Sequence, residues 1–460
     1  MSFIGRVRAF LSKAETPMGP SASPIIGTLP LYNQFIRIGG NLTPSQVSNI
    51  ILEADTGQLC RFMDLANESK QKDGHLLSVL QTRENALTAL DLEVLPTVED
   101  GESEPSDRAL DVAAYVEDSL EACIGNGQEV RSLKDTIPHL VGGTYYGFAV
   151  SEIEWVRNGS DITPVGFRPV DHRRFEFSQS DGRLRFYDCY GTLGAAVELQ
   201  DEYPGKFLQH MPRINGDVAA REGLARTLIW PALFRNWCIS DWLKLAELSW
   251  KPWRIGKYSK QAGEKDRDEL LNALQYLTTN GICLHRDDHS LDIHWPSGTA
   301  SGGDNNHQSL ASFMGSEMSK AVLGQTLTTE QGERGARSLG EVHDRVRRDI
   351  RESDAIGVAA TLRRDLVSWI VCFKYGADES VPGLAFATDD AVDLQSFSSS
   401  LKAMVEAGVD VPQRWAQDKI GIPAPDEDEP MLGDSDAEPE AEDEDDDGTP
   451  QDNRDEGDED

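Results

Sequence analysis

The sequence predicts a mixed α+β fold, and three observations carry that reading. Apolar residues repeat with helical spacing from Val47 to Leu65, alternate with strand spacing in the middle of the chain, and return as a long, largely apolar helix after Gly216. Thr43-Pro44-Ser45-Gln46 opens the first helix. Thr43 can cap, Pro44 suits the first helical position, and Gln46 stands where a capping-box partner belongs. Val47, Ile50, Ile51, Ala54, Leu59, Phe62 and Leu65 continue it, with a break at Gly57. His75 to Leu90 reads as another helix or a helix-to-strand transition. Leu92, Val94 and Pro96 give a short strand before the polar turn at 99–102, and Asp107 to Cys123 gives a further helix.

Tyr146, Phe148 and Val150, then Ile153 and Trp155, alternate as strands do. Phe175 and Phe177 precede Ser180-Asp181-Gly182, and Leu184 and Phe186 follow it, which predicts a hairpin. The middle of the chain therefore reads as a small antiparallel sheet.

From Leu224 to Leu248 apolar residues leave little of a helix surface polar. That pattern asks for burial on more than one side, inside the subunit or against a neighbour. Pro231 kinks this helix or separates two pieces of it. Trp230, Trp237, Trp242 and Trp250 serve as core filler or as interface anchors. Glu269 to Leu277 is a shorter helix, followed by short strands through Trp295 and a polar loop from Ser297 to Asn306. Leu339, Val342, Val346 and Ile350 form an apolar stripe. Glu341 with Arg345, Asp344 with Arg348, and Arg348 with Glu352 stand four apart on its exposed side. The apolar run continues through Ile356, Leu362, Leu366, Trp369 and Ile370, as in a long helix that is first polar on one side and then embedded.

The chain has 460 residues, 39% of them hydrophobic, enough for a sizeable core in roughly two to four domains or one elongated subunit. Its six cysteines are scattered without a close pair, so they read as reduced and mostly buried. The opening Met1 to Leu11 is interrupted by Arg6 and Arg8, and reads as a short amphipathic helix or a flexible arm. No run of about 18 uninterrupted apolar residues predicts a membrane span. Of the formal net charge of -35, about half belongs to Asp426–Asp460, which holds 20 acidic residues and one arginine, Arg454. Such a tail repels itself and is expected to be disordered. It is a solubilising tail, or a polyanionic arm that touches a basic partner or keeps DNA from a surface.

His285, Asp287, Asp288, His289 and His294 are the densest set of potential metal ligands, but Gly281 and Leu291-Asp292-Ile293 favour turn and strand, which would separate them. Ser301-Gly302-Gly303-Asp304 lacks the Gly-Lys-Ser/Thr ending of a phosphate loop, and no Gly-x-Ser-x-Gly occurs. No catalytic residue, cofactor-binding residue, metal ligand or cofactor is expected, and the chain is not read as an enzyme. Arg334, Arg337, Arg345, Arg347, Arg348 and Arg351, then Arg363 and Arg364, are interleaved with acids. They suit pairing within a helix or between subunits better than capture of DNA phosphates.

Several blocks, in this order, resemble the portal proteins of Mu-like phages. They are Asp171-His172-Arg173-Arg174-Phe175-Glu176-Phe177, Pro204-Gly205-Lys206-Phe207-Leu208, Gly223-Leu224-Ala225-Arg226 leading through Trp242-Leu243-Lys244 to Arg254-Ile255-Gly256-Lys257-Tyr258, Leu323-Gly324-Gln325-Thr326-Leu327-Thr328-Thr329, Ser338-Leu339-Gly340-Glu341-Val342-His343, Asp354-Ala355, and Leu362-Arg363-Arg364-Asp365-Leu366. The likeness runs from roughly Pro30 to Phe386. It departs from the family pattern at Arg363, where asparagine is expected, at Tyr375-Gly376, and at Ser249-Trp250-Lys251-Pro252-Trp253, which lacks the usual Phe-Gly before its proline.

The resemblance implies a portal fold with wing, stem and clip around an axial channel. It implies a homo-oligomer of twelve subunits at one capsid vertex, through which double-stranded DNA passes without sequence-specific binding. Implied partners are the terminase large subunit, the major capsid protein and scaffold, and neck or head-tail adaptor proteins. The implied location is the virion, with assembly in the host cytoplasm. On this reading residues 1–30 are a flexible arm, 31–215 a mixed α/β wing-like region, and 216–380 a helix-rich stem, clip and channel region with a small α/β segment at 264–296. Residues 381–424 are a peripheral or crown-like region, and 425–460 the acidic tail. The alternative is another head-associated ring or adaptor protein.

Overall fold

A computed structural model describes residues 42–99, 101–159, 161–186, 196–214, 216, 218–250, 254–277, 282–286, 303–325, 336–388, 394–409 and 411–420. The chain divides into two compact units, Met1–Thr388 and Asp389–Asp460. The opening arm before residue 42 and the acidic tail lie outside the described residues.

In the first unit, helix α1 (Pro44–Asp55) begins with the expected capping box. Gln46 N–H donates to Thr43 Oγ1, and Thr43 N–H donates to Gln46 Oε1 at 2.8 Å. The break falls at Gly57, whose φ is +94°; a Cβ there would sit 2.1 Å from the carbonyl oxygen of Phe177. Only glycine lets the helix end meet that backbone so closely. Helices α2 (Cys60–Lys72) and α3 (Gly74–Glu84) follow. Buried Asp73 separates them and caps α3 by accepting from the N–H groups of His75 and Leu76.

Strand β1 (Leu92–Leu95) and helices α4 (Asp107–Glu121) and α5 (Leu133–Tyr146) lead into the sheet. Strands β2 (Ala149–Asn158), β3 (Asp161–Pro169) and β6 (Phe207–His210) lie antiparallel in the order β3-β2-β6, with a register shift at Glu154/Trp155. Between β3 and β6 come the hairpin β4 (Phe175–Phe177) and β5 (Leu184–Phe186), and the short helix α6 (Leu199–Glu202). The hairpin sets Phe175 opposite Phe186 and Phe177 opposite Leu184, all four buried, as the alternation predicts.

Helix α7 (Ala225–Trp250) is continuous through Pro231, so the proline does not separate two pieces. Strand β7 (Arg254–Tyr258), helix α8 (Glu264–Leu277) and strand β8 (Ile282–Arg286) form a β-α-β unit in which the two strands are parallel. Helix α9 (Gly303–Leu323) then packs on α7 and α3. Its first turn takes up Gly303 to Asn306, expected in a polar loop. Asp and Asn favour helix starts as well as turns, so this composition reads both ways. Helix α10 (Ala336–Leu362) continues through a π turn (Arg363–Val367) into α11 (Ser368–Tyr375), and strand β9 (Gly383–Phe386) closes the unit by pairing antiparallel with β1.

Two cores result. One gathers α1, α2, α3, the β4-β5 hairpin, the first half of α7 and the end of α9. The other gathers α4, α5, the β3-β2-β6 sheet, the second half of α10, α11 and β9. The second unit contributes helices α12 (Leu394–Glu406) and α13 (Gln413–Ile420), whose Phe397 and Trp415 rings lie 6.0 Å apart. Among the described residues no helix is long and apolar enough to cross a membrane.

Candidate functional site

The sequence blocks singled out above become joints between elements. Asp171 to Arg174 form a tight turn whose Arg173 guanidinium lies between Asp171, at 2.6 Å, and Asp64 of α2, at 3.3 Å. Burial pushes the Asp64 carboxyl up against the pull of Arg173. At Asp171 burial also pushes up, but the bonds from Arg173 outweigh it and hold the carboxyl below its ordinary value. His172 stacks on Tyr146 with ring centroids 4.0 Å apart, and Tyr146 Oη donates to Asn67 Oδ1.

Gly205 adopts φ +74° under the Trp369 ring, where a Cβ would lie 2.6 Å from the indole, and its carbonyl accepts from Trp155 Nε1. The next residue, Lys206, places its ammonium 3.6 Å from Glu152; both side chains are 1% exposed. Burial lowers the Lys206 pKa while Glu152 opposes the shift. Gly223, at φ +98°, abuts Gly147, and Arg226 pairs with Asp55 at 2.7 Å. Asp365 of the π turn accepts from Gln209 N–H and from Arg364, which also donates to Gln209 O. These contacts fasten the sheet to the helices on either side.

Faces left bare by one subunit are the other half of the site. On α7, Leu228, Ile229, Ala232 and Leu233 are buried and Trp230 and Trp237 are half-buried against the same core, whereas Phe234 is 37% and Leu243 64% exposed. Trp242 is half-buried, and the side chain of Trp250 lies outside the described set. Within the single chain, the buried face of this helix thus belongs mainly to its first half. On α9, Leu310 and Phe313 are exposed. Ile356, expected to be embedded, is instead 72% exposed, because Ala355, Val358, Ala359 and Leu362 take the buried face of α10 and the helical turn carries Ile356 off it.

Among the potential metal ligands, His285 lies on β8 with its Nδ1 3.0 Å from Arg286 O, while Asp287, Asp288, His289 and His294 lie outside the described residues. Among the described residues no group of three His, Cys, Asp or Glu side chains could hold a metal ion. Ser301 and Gly302 also lie outside them.

The model of the family described as "Portal protein of Mu bacteriophage" matches residues 63–422. The chain belongs to this Mu portal family. The portal protein of Escherichia phage Mu is 30% identical over 402 residues, which cover 85% of this chain and 73% of that one. The Mu-like prophage FluMu protein gp29 of Haemophilus influenzae is 29% identical over 419 residues, covering 88% and 75%. Among solved structures, a chain from the neck of a native gene transfer agent particle, computed with C12 symmetry, superposes with a TM-score of 0.47 at 12% identity, covering 82% of this chain and 99% of that one. An HK97 family phage portal protein from Corynebacterium diphtheriae superposes with a TM-score of 0.40 at 12% identity, covering 74% and 97%.

In this portal subunit Arg345, Arg347 and Arg348 of the arginine-rich stretch are exposed, whereas its later arginines reach back to their own chain. Arg351 donates to Thr388 O, and Arg363 donates to Pro382 O and Val381 O. Arg363, which replaces an expected asparagine, therefore holds the segment before β9 against the π turn, a reach asparagine lacks. Sequence reasoning paired these arginines with acids and missed the backbone carbonyls, which leave no mark in composition.

Proposed function

We propose that this portal subunit assembles into a closed ring of twelve copies at a single capsid vertex. The ring is the channel for packaging and ejecting DNA and the platform for joining head to tail. Family membership supports this reading, and the exposed apolar side chains of Leu243 on α7 and of Leu310 and Phe313 on α9 are the observation that carries it. In a ring each copy meets one neighbour with one face and the other neighbour with a different face, so apolar side chains exposed on a lone subunit become covered.

Residues 31–215 form the wing-like region, 216–380 hold stem, clip and channel, 381–424 the crown-like region, and 1–30 and 425–460 are the arm and the acidic tail. The terminase large subunit, the major capsid protein with its scaffold, and neck or adaptor proteins are its partners, and DNA passes without sequence-specific contacts. The subunit performs no catalysis and assembles in the host cytoplasm before entering the virion. Electron microscopy of the purified chain tests this. Twelvefold rings with an axial opening wide enough for a duplex are the expected outcome, and rings that form only on a preformed portal would identify an adaptor instead.

A further inference from the structure

Strand β1 is the edge of a two-stranded ribbon, and its second edge faces a groove. Ala387 N–H donates to Asp91 O at 2.9 Å, so antiparallel alternation turns the backbone groups of Glu93 and Leu95 toward β9 and those of Leu92 and Val94 away from it. A groove of about 900 Å³ is lined by β1, the end of α4 and the start of α5, and by no residue of β9. Its floor is apolar, with Leu120, Cys123, Leu133 and Ile137 buried, and Ile124 at its mouth is 74% exposed. Five carboxylates line it, Asp91, Glu93, Glu117, Glu121 and Asp135, against one cation, Lys134.

We propose that the chain's own N-terminal segment, residues 3–11, docks in this groove as a strand added to β1. Within a chain of net charge -35, Met1 to Lys13 carries Arg6, Arg8 and Lys13 and no carboxylate, which complements the acidic rim. In extended form Phe3, Val7, Ala9 and Leu11 share one face, which suits the apolar floor, and Arg6 and Arg8 share the other with Ile4 and Phe10, which sets the two arginines toward the acidic rim. The residues between Leu11 and the first described residue, Leu42, span up to roughly 100 Å, ample to reach this groove on the same subunit. The docked strand satisfies the outward backbone groups of Leu92 and Val94 and covers an edge that otherwise invites pairing with foreign strands. The proposal stands apart from the ring reading.

Amide hydrogen exchange on the full-length chain at low salt tests it. Docking protects the amides of Leu92 and Val94. The Arg6→Glu/Arg8→Glu chain and the Glu117→Lys/Glu121→Lys chain should each lose roughly tenfold or more of that protection, and the chain carrying all four changes should regain it. Glu117 and Glu121 are exposed, so thermal melts of the variants should match the parent. Protection untouched by the arginine reversals, or lost and not regained in the fourfold variant, overturns the proposal. So does protection that depends on the groove carboxylates alone, which would assign the groove to another surface of a second copy.

Discussion

At Lys206 and Glu152 the subunit holds a full ion pair out of water. Taking two charges out of water costs several kcal/mol each, and their attraction repays this only while both are present. Glu152→Ala should therefore destabilise the chain by about 3–5 kcal/mol, whereas Glu152→Met combined with Lys206→Met should come close to the parent, as read by urea denaturation. A parent-like Glu152→Ala would mean that the lysine is held by other partners. Three histidines carry a second consequence. Burial pushes His139 down to about 4, His172 to about 3 and His210 to about 4. Each is neutral in the fold but protonates near pH 6.5 once unfolded, so the unfolded state binds more protons below that pH. Stability is full above pH 6.5 and falls as the pH drops toward 4, by at most about 1.4 kcal/mol per histidine per pH unit. The melting temperature should decline between pH 6.5 and 4.5, and His172→Phe, which keeps a ring against Tyr146, should flatten the slope.

At the scale of elements, α7 serves two environments. Leu233→Glu places a charge in the first core and should abolish soluble folded subunit, while Leu243→Glu, already exposed, should leave the melting temperature of the monomer near the parent and prevent rings in electron micrographs. Equal damage from both would show that the second half of α7 is buried within its own subunit. The apolar circumference of this helix was legible in the sequence, but the point where its own core ends was not, since that depends on where α9 lies across it. Helix α9 escaped notice because its Gly-Asp-Asn-Asn start matches turn composition. The hairpin, in contrast, was legible residue by residue, because a two-residue period around Ser180-Asp181-Gly182 admits one register. Pairings distant in sequence left no local trace. Arg83 of α3 donates twice to Asp354 of α10 and once to Val322 O of α9, and no periodicity foretells such a junction.

For the whole molecule, charge opposes assembly. Each copy carries -35, and about half sits on the last 35 residues, so copies brought together in the proposed ring repel strongly at low ionic strength. Full-length rings should need moderate salt. A chain ending at Pro425 should form them at lower salt with an unchanged melting temperature, and an identical salt requirement would mean that the tails splay too far apart to repel. The pairing of β1 with β9 bears on synthesis. Residues 92–95 leave the ribosome long before residues 383–386, and the first unit completes its second core only when the later strand arrives. A chain released early would expose the edge of β1 and lack the last wall of that core, making it prey for proteases rather than a poisonous member of the proposed ring. One late strand thus makes the stability of the first unit a check that translation has passed residue 386.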